Sequence, residues 1–524
     1  MSSQNYLSKK GYVIHKSNIS SDELVDLKLT LRAKPLVDNK FNFQTTNPYF
    51  PVYIETKNKM YIPKMFGIEK FGFPKSVLEN YEGKEWENEI EFDGTLYPEQ
   101  NEPVNTLIKS CQEKGGGVLQ ISTGGGKTFM ALNVLSKLKY KTIVVVNKIP
   151  LMNQWVEEAT KFLPNARIGI IHTQKKIANV DECDIVIMML QSMSRIDYPD
   201  SLFNQFGILI IDEIHNLASK EFSKILFKLT SKYTIGLSAT PKRADGCEYV
   251  FKWHIGDIVY KSNEKRKGKP PIIRSLKINT KEYKEISIVN SYTGLKQIQF
   301  TSMLTELIKM SKRNLLVIEL LKNLTLENRK ILVIGDRREH LETINNLLNN
   351  DNTITFTYGL FLGQKSKKDE KRNEQSRNCQ CILATSKAFG EGISERDLDT
   401  LILITPKKYV DESKEKNKDA KKDGGKLNQL VGRIFRRQHD EINPIIIDFF
   451  DNFSVYKSQY KSRKVFYIQH FKNGIFEDQS IDLDEHQDVK TSYIKTKKIE
   501  NKNFDEENNT EGISKFISTC VIED

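Results

Sequence analysis

Cysteine is scarce in this chain, with six among 524 residues. That is too few for a disulfide framework, so a reducing compartment is expected. Long apolar runs are also missing: no stretch approaches the roughly 18 residues that a membrane-spanning helix needs. The opening segment Met1–Lys10 is polar and lacks the apolar core of a secretory signal, so a cytoplasmic protein is expected. The eight histidines are scattered, and Cys379-Gln380-Cys381 has no second Cys/His pair at zinc spacing. No metal site built from these residue types is therefore expected. Charge, by contrast, is plentiful. Lysine and arginine number 80 against 68 acidic residues, a formal +12 that suits a polyanionic partner but is modest for this length. With 38% hydrophobic and 28% charged residues, the chain is neither wholly disordered nor fibrous, and it is long enough for several domains.

The texture changes along the sequence. Residues 1–92 mix short alternating runs with proline and aromatics, as in Tyr49-Phe50-Pro51-Val52-Tyr53-Ile54, and read as a small N-terminal α+β accessory domain. Residues 93–262 carry short apolar runs such as Ile143–Val146, Ile185–Leu190 and Ile208–Ile211, separated by helical stretches. Uninterrupted β-branched runs of that length predict strands buried on both faces, hence a parallel sheet covered by helices. The charged, proline-ended segment 263–271 reads as a linker. A second alternation fills 272–455, with strands expected at Ile331–Ile334, Thr353–Thr357, Cys381–Thr385, Leu401–Thr405 and Ile445–Phe449. Within it, Asp411–Lys426 is almost all charged or small and reads as an exposed loop. The expected fold class is α/β, with two tandem parallel-sheet units. Residues 456–524 are expected to form a basic and aromatic extension followed by a polar tail. There Lys457, Lys461, Arg463 and Lys464 interleave with Tyr456, Tyr460, Phe466 and Tyr467. That mixture suits stacking on single-stranded nucleic acid, or equally a packed helix with a solvated basic face.

The strand candidate Val118–Ile121 runs directly into Ser122-Thr123-Gly124-Gly125-Gly126-Lys127-Thr128, and a helical pattern follows through Leu138. Strand, glycine-rich turn, Lys-Thr and helix, in that order, is the arrangement of a phosphate-cradling loop. Glycines let backbone N–H groups converge on phosphate oxygens, and the helix N-terminus adds partial positive charge. Lys127 would reach the β- and γ-phosphates of a bound nucleotide, and the Thr128 hydroxyl would ligate Mg²⁺. Ile121 occupies the position where the full motif has its first glycine. Further on, the strand Phe206–Ile211 ends in Asp212-Glu213-Ile214-His215. Acidic residues at the carboxyl end of a parallel strand lie where open α/β sheets bind ligands. Asp212 would hold Mg²⁺, and Glu213 would act as general base on the attacking water. His215 suits either a packed structural role or a functional one.

Beyond these, Leu237-Ser238-Ala239-Thr240-Pro241 follows a third strand, and Gln429-Leu430-Val431-Gly432-Arg433-Ile434-Phe435-Arg436-Arg437 opens a helical pattern in the second unit. With these motifs in this order, the sequence resembles the superfamily 2 helicases and translocases of the D-E-x-H type over roughly residues 95–455. The resemblance implies two RecA-like units that close on ATP. Arg433 and Arg436 would then supply charge to the γ-phosphate, with Gln429 beside it, and Ser238, Ala239 and Thr240 would couple hydrolysis to nucleic-acid contacts. Tyr97-Pro98-Glu99-Gln100 looks like the segment whose glutamine reads adenine, which would place Gln100 on the base. Lys148–Trp155 and Gln191-Ser192 resemble nucleic-acid-contacting motifs of the first unit. Asp336-Arg337-Arg338-Glu339-His340, and Ala384-Thr385 through Glu391-Gly392, resemble those of the second. Contacts of this kind go to the backbone and carry no base information.

A narrower likeness comes from Gly236–Gly246 (GLSATPKRADG) with Ile255-Gly256-Asp257-Ile258. It resembles the branch that includes the repair and transcription helicase XPB, and still more the transcript-release helicases of large cytoplasmic DNA viruses, including the poxvirus type. Leu31-Arg32-Ala33-Lys34-Pro35 and Tyr61-Ile62-Pro63-Lys64 support the viral likeness. Where XPB-type enzymes carry Arg-Glu-Asp, this chain has Arg243-Ala244-Asp245. The resemblance implies an ATP hydrolase with nucleic acid as partner and RNA polymerase as a further one. Three outputs follow: movement along nucleic acid, transcript release without unwinding, and an ATPase-gated nucleic-acid sensor.

Overall fold

Two sheets of β-branched strands organise the molecule. The computed structural model describes residues 4–35, 49–122, 124–172, 179–214, 220–239, 241, 245–262, 268–289, 294–363, 367–389, 397–407, 424–484 and 495–499. The first sheet has seven parallel strands in the order Ile168–Ile171, Ile185–Met189, Thr142–Val146, Ile208–Asp212, Tyr233–Ser238, Gly116–Gln120 and Ile258–Lys261. The strands Thr142–Val146, Ile185–Met189 and Ile208–Asp212 are buried at every position, as their unbroken apolar runs predict for a sheet covered on both faces. Leu132, Leu135, Trp155 and Ala159 pack against one face, and Phe203, Ile225 and Phe251 against the other.

The second sheet has eight strands. Their order is Tyr358–Phe361, Cys381–Thr385, Ile331–Gly335, Thr400–Leu403, Ile445–Asp451, Ile272–Asn279, Ile475–Asp482 and Lys495–Ile499, all parallel except the last. Two expectations change here. The strand anticipated at Thr353–Thr357 forms instead at Tyr358–Phe361, in register with Cys381–Ala384, while Phe356 packs into the core beside it. Nor do the residues after 455 stand apart as an extension. Helix Ser454–His470 buries Phe466 and Tyr467 against the second sheet, and Ile475–Asp482 pairs with Ile272–Asn279 along its whole length. Tyr456, Tyr460 and Arg463 of that helix are buried, and Arg463 meets Asp448 in a buried ion pair at 2.7 Å. Those aromatic faces are used in packing, which removes them as a stacking platform for bases. The anticipated loop Asp411–Lys426 lies almost wholly outside the described residues.

The N-terminal residues form a small mixed sheet in the order Ile54–Glu55, Lys59–Ile62, Gly11–His15, Tyr6–Ser8 and Ser76–Val77. Helix Ser21–Thr30 begins at a capping box in which Ser20 Oγ accepts from Glu23 N at 3.2 Å and the Glu23 carboxylate accepts from Ser20 N at 2.8 Å. This unit is docked on the amino-terminal edge of the first sheet. Lys64, fully buried, sends its ammonium to the backbone oxygens of Gly115 (2.8 Å), Ser231 (2.9 Å) and Lys232 (3.0 Å) and to Thr234 Oγ1 (3.3 Å). Gly115 and Ser231-Lys232 immediately precede two neighbouring strands, so one side chain ties the unit to both. Lys9 donates similarly to the carbonyl of Phe206.

Neither lysine gains enough from these oxygens to offset leaving water. Burial pushes each down from 10.5 to about 7, and for Lys9 the charge of Lys64 adds to it. A lysine whose pKa falls on folding contributes its full stability above the unfolded value and loses it as pH drops through the folded one. The thermal midpoint is therefore expected to rise between pH 7 and pH 10, and to rise less in Lys64→Met; equal slopes would exclude Lys64 as a titrating group. Among the described residues, no helix is long and apolar enough to cross a membrane.

Candidate nucleotide site between the two sheets

The carboxyl ends of three adjacent strands of the first sheet build one half of the site. Asp212 stands opposite Leu237, and Ser238 opposite Gln120, so the acidic pair, the Ser-Ala segment and the glycine loop lie side by side. Ile121 N donates to Ser238 O at 3.1 Å, extending the strand before the loop turns. The turn requires glycine. Gly124 and Gly126 have φ of 90° and 79°, and a Cβ on Gly126 would sit 2.6 Å from Gln100 Nε2. A Cβ on Gly125 would meet Ile121 Cγ2 at 2.6 Å, so the isoleucine that replaces the motif's first glycine fills the space beneath the loop. Gly126 is the N-cap of helix Lys127–Leu138 and provides no side-chain cap, so the first amides of that helix face the loop's concavity.

Gln100 comes to the loop from helix Pro98–Lys114. Its Nε2 donates to Gly125 O at 3.3 Å, and its Oε1 accepts from Tyr97 N at 3.1 Å. The expected adenine reader is thus beside the phosphate loop and also closes its own helix turn. Ser122 and Thr128 flank the loop, Thr128 being buried. Thr123, His215, Thr240, Glu391 and Gly392 lie outside the described residues.

Asp212 is almost fully buried, and both of its oxygens are held. Oδ1 accepts from Glu213 N at 2.9 Å, and Oδ2 accepts from the indole N–H of Trp155 at 3.0 Å. Burial pushes its carboxyl up to about 6, and the Glu213 charge pushes the same way; Lys127 and the indole oppose. Glu213 itself adopts φ 54°, a left-handed conformation that costs a non-glycine residue energy and aims it away from the strand direction. Two adjacent carboxylates beside the phosphate loop are hard oxygen donors of the kind that a divalent cation takes. The donor set is therefore chemically suited to Mg²⁺ on Asp212 and Thr128, with triphosphate on the loop and Lys127.

The other half of the site comes from the second unit. Gln429 and Arg433 are buried, and Arg436 is half-buried. A Cβ on Gly124 would lie 3.2 Å from Arg436 Cα and 3.4 Å from Phe435 O, so the two units touch at the phosphate loop. Burial lowers Arg433 to about 10, and the Glu213 charge acts against that shift. Arg433 of the second unit thus stays cationic at neutral pH and interacts electrostatically with Glu213 of the first.

The segments expected on nucleic acid divide. Lys148 opens helix Ile149–Phe162 at the carboxyl end of the strand Thr142–Val146, and Gln191 Nε2 donates to Asn147 O at 2.6 Å nearby. Ser192 Oγ is occupied by the His172 carbonyl. Trp155, at the far end of the same segment, is fully buried and cannot be a nucleic-acid contact; its place beside Asp212 was not visible in the sequence. In the second unit, Asp336 is held by Thr405, Ser386 and Lys407, and Thr385 Oγ1 caps the next turn by accepting from Ala388 N at 3.3 Å. His340 is buried against Asn314 at 2.9 Å and held at about 3 by burial and Arg313, so it belongs to the core.

The chain also matches known families along its length. Residues 93–243 match the family described as "Type III restriction enzyme, res subunit", and residues 311–438 match "Helicase conserved C-terminal domain". It is 30% identical over 466 residues to L396 of Acanthamoeba polyphaga mimivirus, a candidate ATP-dependent RNA helicase, covering 88% of this chain and 84% of that one. It is 26% identical over 401 residues to QP509L of African swine fever virus, also a candidate ATP-dependent RNA helicase, covering 72% and 74%. Among solved structures, an HsdR-subunit fragment assigned to a type I restriction enzyme of Vibrio vulnificus YJ016 shares the fold. Its TM-score is 0.50 and its identity 17%, over 76% of this chain and 71% of that one. With the tandem parallel sheets, these relatives place the chain in a family: it belongs to the superfamily 2 helicases, P-loop NTPases that use ATP, in the group found in large DNA viruses.

Proposed function

We propose that this protein is an ATP-driven motor that moves along a nucleic-acid backbone as its two units open and close on nucleotide. One observation carries the reading: the phosphate loop and acidic pair of the first unit meet Arg433 and Arg436 of the second, at Gly124 and Glu213. A site split in this way makes closure of the units depend on what the loop holds. Lys127, Ser122, Thr123 and the amides of Gly124–Gly126 would bind the triphosphate, Gln100 the base, and Thr128 and Asp212 the Mg²⁺. The metal supplies charge neutralisation on the phosphate oxygens when bound. Glu213 would take a proton from the attacking water, and Gln429, Arg433 and Arg436 would stabilise the developing charge. Ser238, Ala239, Thr240, His215, Glu391 and Gly392 would couple that change to the track.

The track is the backbone of DNA or RNA, consistent with the +12 charge and with viral relatives whose names specify RNA. In cells, a cytoplasmic virus factory is the compartment in which such a motor would serve transcription. The alternative output is release of transcripts from RNA polymerase without unwinding, and comparing strand displacement with release from stalled transcription complexes separates the two.

The first test is ATP hydrolysis with matched single- and double-stranded DNA and RNA. The apparent affinity for the stimulating polymer is expected to fall linearly on a log–log salt plot, with a slope of about −0.7 to −0.9 per phosphate contacted. Lys127→Ala should abolish turnover on every track, whereas hydrolysis indifferent to all four polymers would exclude a motor.

A further inference from the structure

We infer that Trp155 is a positioning residue: its indole N–H holds the Asp212 carboxylate for the divalent cation and links it to the exposed first turn of its own helix. The inference rests on the nucleotide site proposed above. Trp155 has no exposed surface, and its Nε1 donates to Asp212 Oδ2 at 3.0 Å across 57 positions of sequence. An indole nitrogen only donates, so it can serve the carboxylate in one way, by orienting it and favouring its charged form. With Glu213 N on Oδ1 at 2.9 Å, neither oxygen is free to rotate, and the remaining lone pairs keep a fixed direction.

The same side chain is mounted on a lever. Trp155 lies in helix Ile149–Phe162, whose first turn leaves Ile149 39% exposed at the carboxyl edge of the first sheet. From Lys148 to Trp155 the helix runs about 10 Å, and it moves as one body because its hydrogen bonds lie along its axis. The carbonyl of Asn147, just before it, is bound by Gln191. A nucleic-acid strand seated on this exposed turn would therefore move the indole, and with it the orientation of Asp212. By linkage, nucleotide with Mg²⁺ must favour strand binding by the same factor. A phenylalanine would fill most of the same space and donate nothing.

The test measures binding rather than turnover. Affinity for a fluorescent non-hydrolysable ATP analogue is titrated in Mg²⁺ and in EDTA, with and without a single-stranded oligonucleotide. In Trp155→Phe the Mg²⁺ needed for half-maximal analogue binding is expected to rise about 10-fold, the EDTA value should stay unchanged, and the oligonucleotide should cease to tighten the analogue. Placed on top of Asp212→Asn, Trp155→Phe should cause no further loss. Equal weakening in Mg²⁺ and EDTA, or additive losses in the double variant, would reduce Trp155 to packing and overturn the inference. A wild type that shows no Mg²⁺-dependent analogue binding would instead sink the nucleotide site itself.

Should the variant not fold, 5-fluorotryptophan in the natural sequence labels its three tryptophans. The resonance of Trp155, assigned with Trp86→Phe and Trp253→Phe, is expected to shift on adding Mg²⁺ with analogue and again on adding oligonucleotide. An unmoved resonance would overturn the inference.

Discussion

Replacing Arg436 by alanine should reduce nucleic-acid-stimulated ATP turnover by about 10³-fold or more, while the KM for ATP changes far less. The reason is geometric. The phosphate loop belongs to the first unit and Arg436 to the second, and their backbones meet at Gly124. In the proposed mechanism, charge delivered from the second unit would act when the γ-phosphoryl group separates, so its loss should fall on kcat rather than on ground-state binding. Arg436→Lys should recover little, because an ammonium lacks the planar pair of donors that matches phosphate oxygens. Turnover within a few-fold of wild type in Arg436→Ala would remove the arginine from the chemistry and leave it as an interface residue.

The second large effect is expected at Glu213. Glu213→Gln keeps the size of the side chain and exchanges the carboxylate proposed as proton acceptor for a neutral amide. A general base contributes about 10²–10⁴, so kcat should drop by that order with nucleotide binding retained. The substitution also removes the negative charge that, after burial, raises Asp212, and the Asp212 carboxyl should then ionise at lower pH. Undiminished turnover in Glu213→Gln would assign the water-activating role elsewhere.

How much of this could be read beforehand depends on whether the determinants were local. The sheets were legible because Ile143–Val146 and Ile208–Ile211 are short uninterrupted apolar runs rich in β-branched residues, the pattern of a strand covered on both faces. The strand Ile475–Asp482 was hidden because its sequence, IFEDQSID, is mostly polar and only Gln479 is buried. Its place comes from pairing with Ile272–Asn279 and not from its own composition. The segment 353–357 offered Ile354 and Phe356, which do pack into the core, but nothing local showed that pairing starts at Tyr358. In the site, the glycine loop and the Asp-Glu pair were readable because their parts are contiguous. Trp155 beside Asp212 was not, since that contact exists only because the strands Thr142–Val146 and Ile208–Asp212 are neighbours. The role of Lys64 was equally hidden: Tyr61-Ile62-Pro63-Lys64 stood out as a family likeness, but nothing local showed that three backbone oxygens surround the lysine.

The position of Ile272–Asn279 has a consequence for biosynthesis. As the first strand of its sheet to leave the ribosome it is nevertheless an interior one, flanked by Ile445–Asp451 and Ile475–Asp482. Its partner across the ion pair Arg274–Glu477 lies 203 positions later. The first sheet draws its strands from residues 116–261 and can close while the rest is still being translated, whereas the second must wait for nearly the whole chain. A message truncated between codons 455 and 475 would leave one side of Ile272–Asn279 with unpaired amides and carbonyls, a ready template for intermolecular β-pairing. Nascent chains of this protein should therefore depend on chaperones most during synthesis of the last hundred or so residues, long after the phosphate loop has formed.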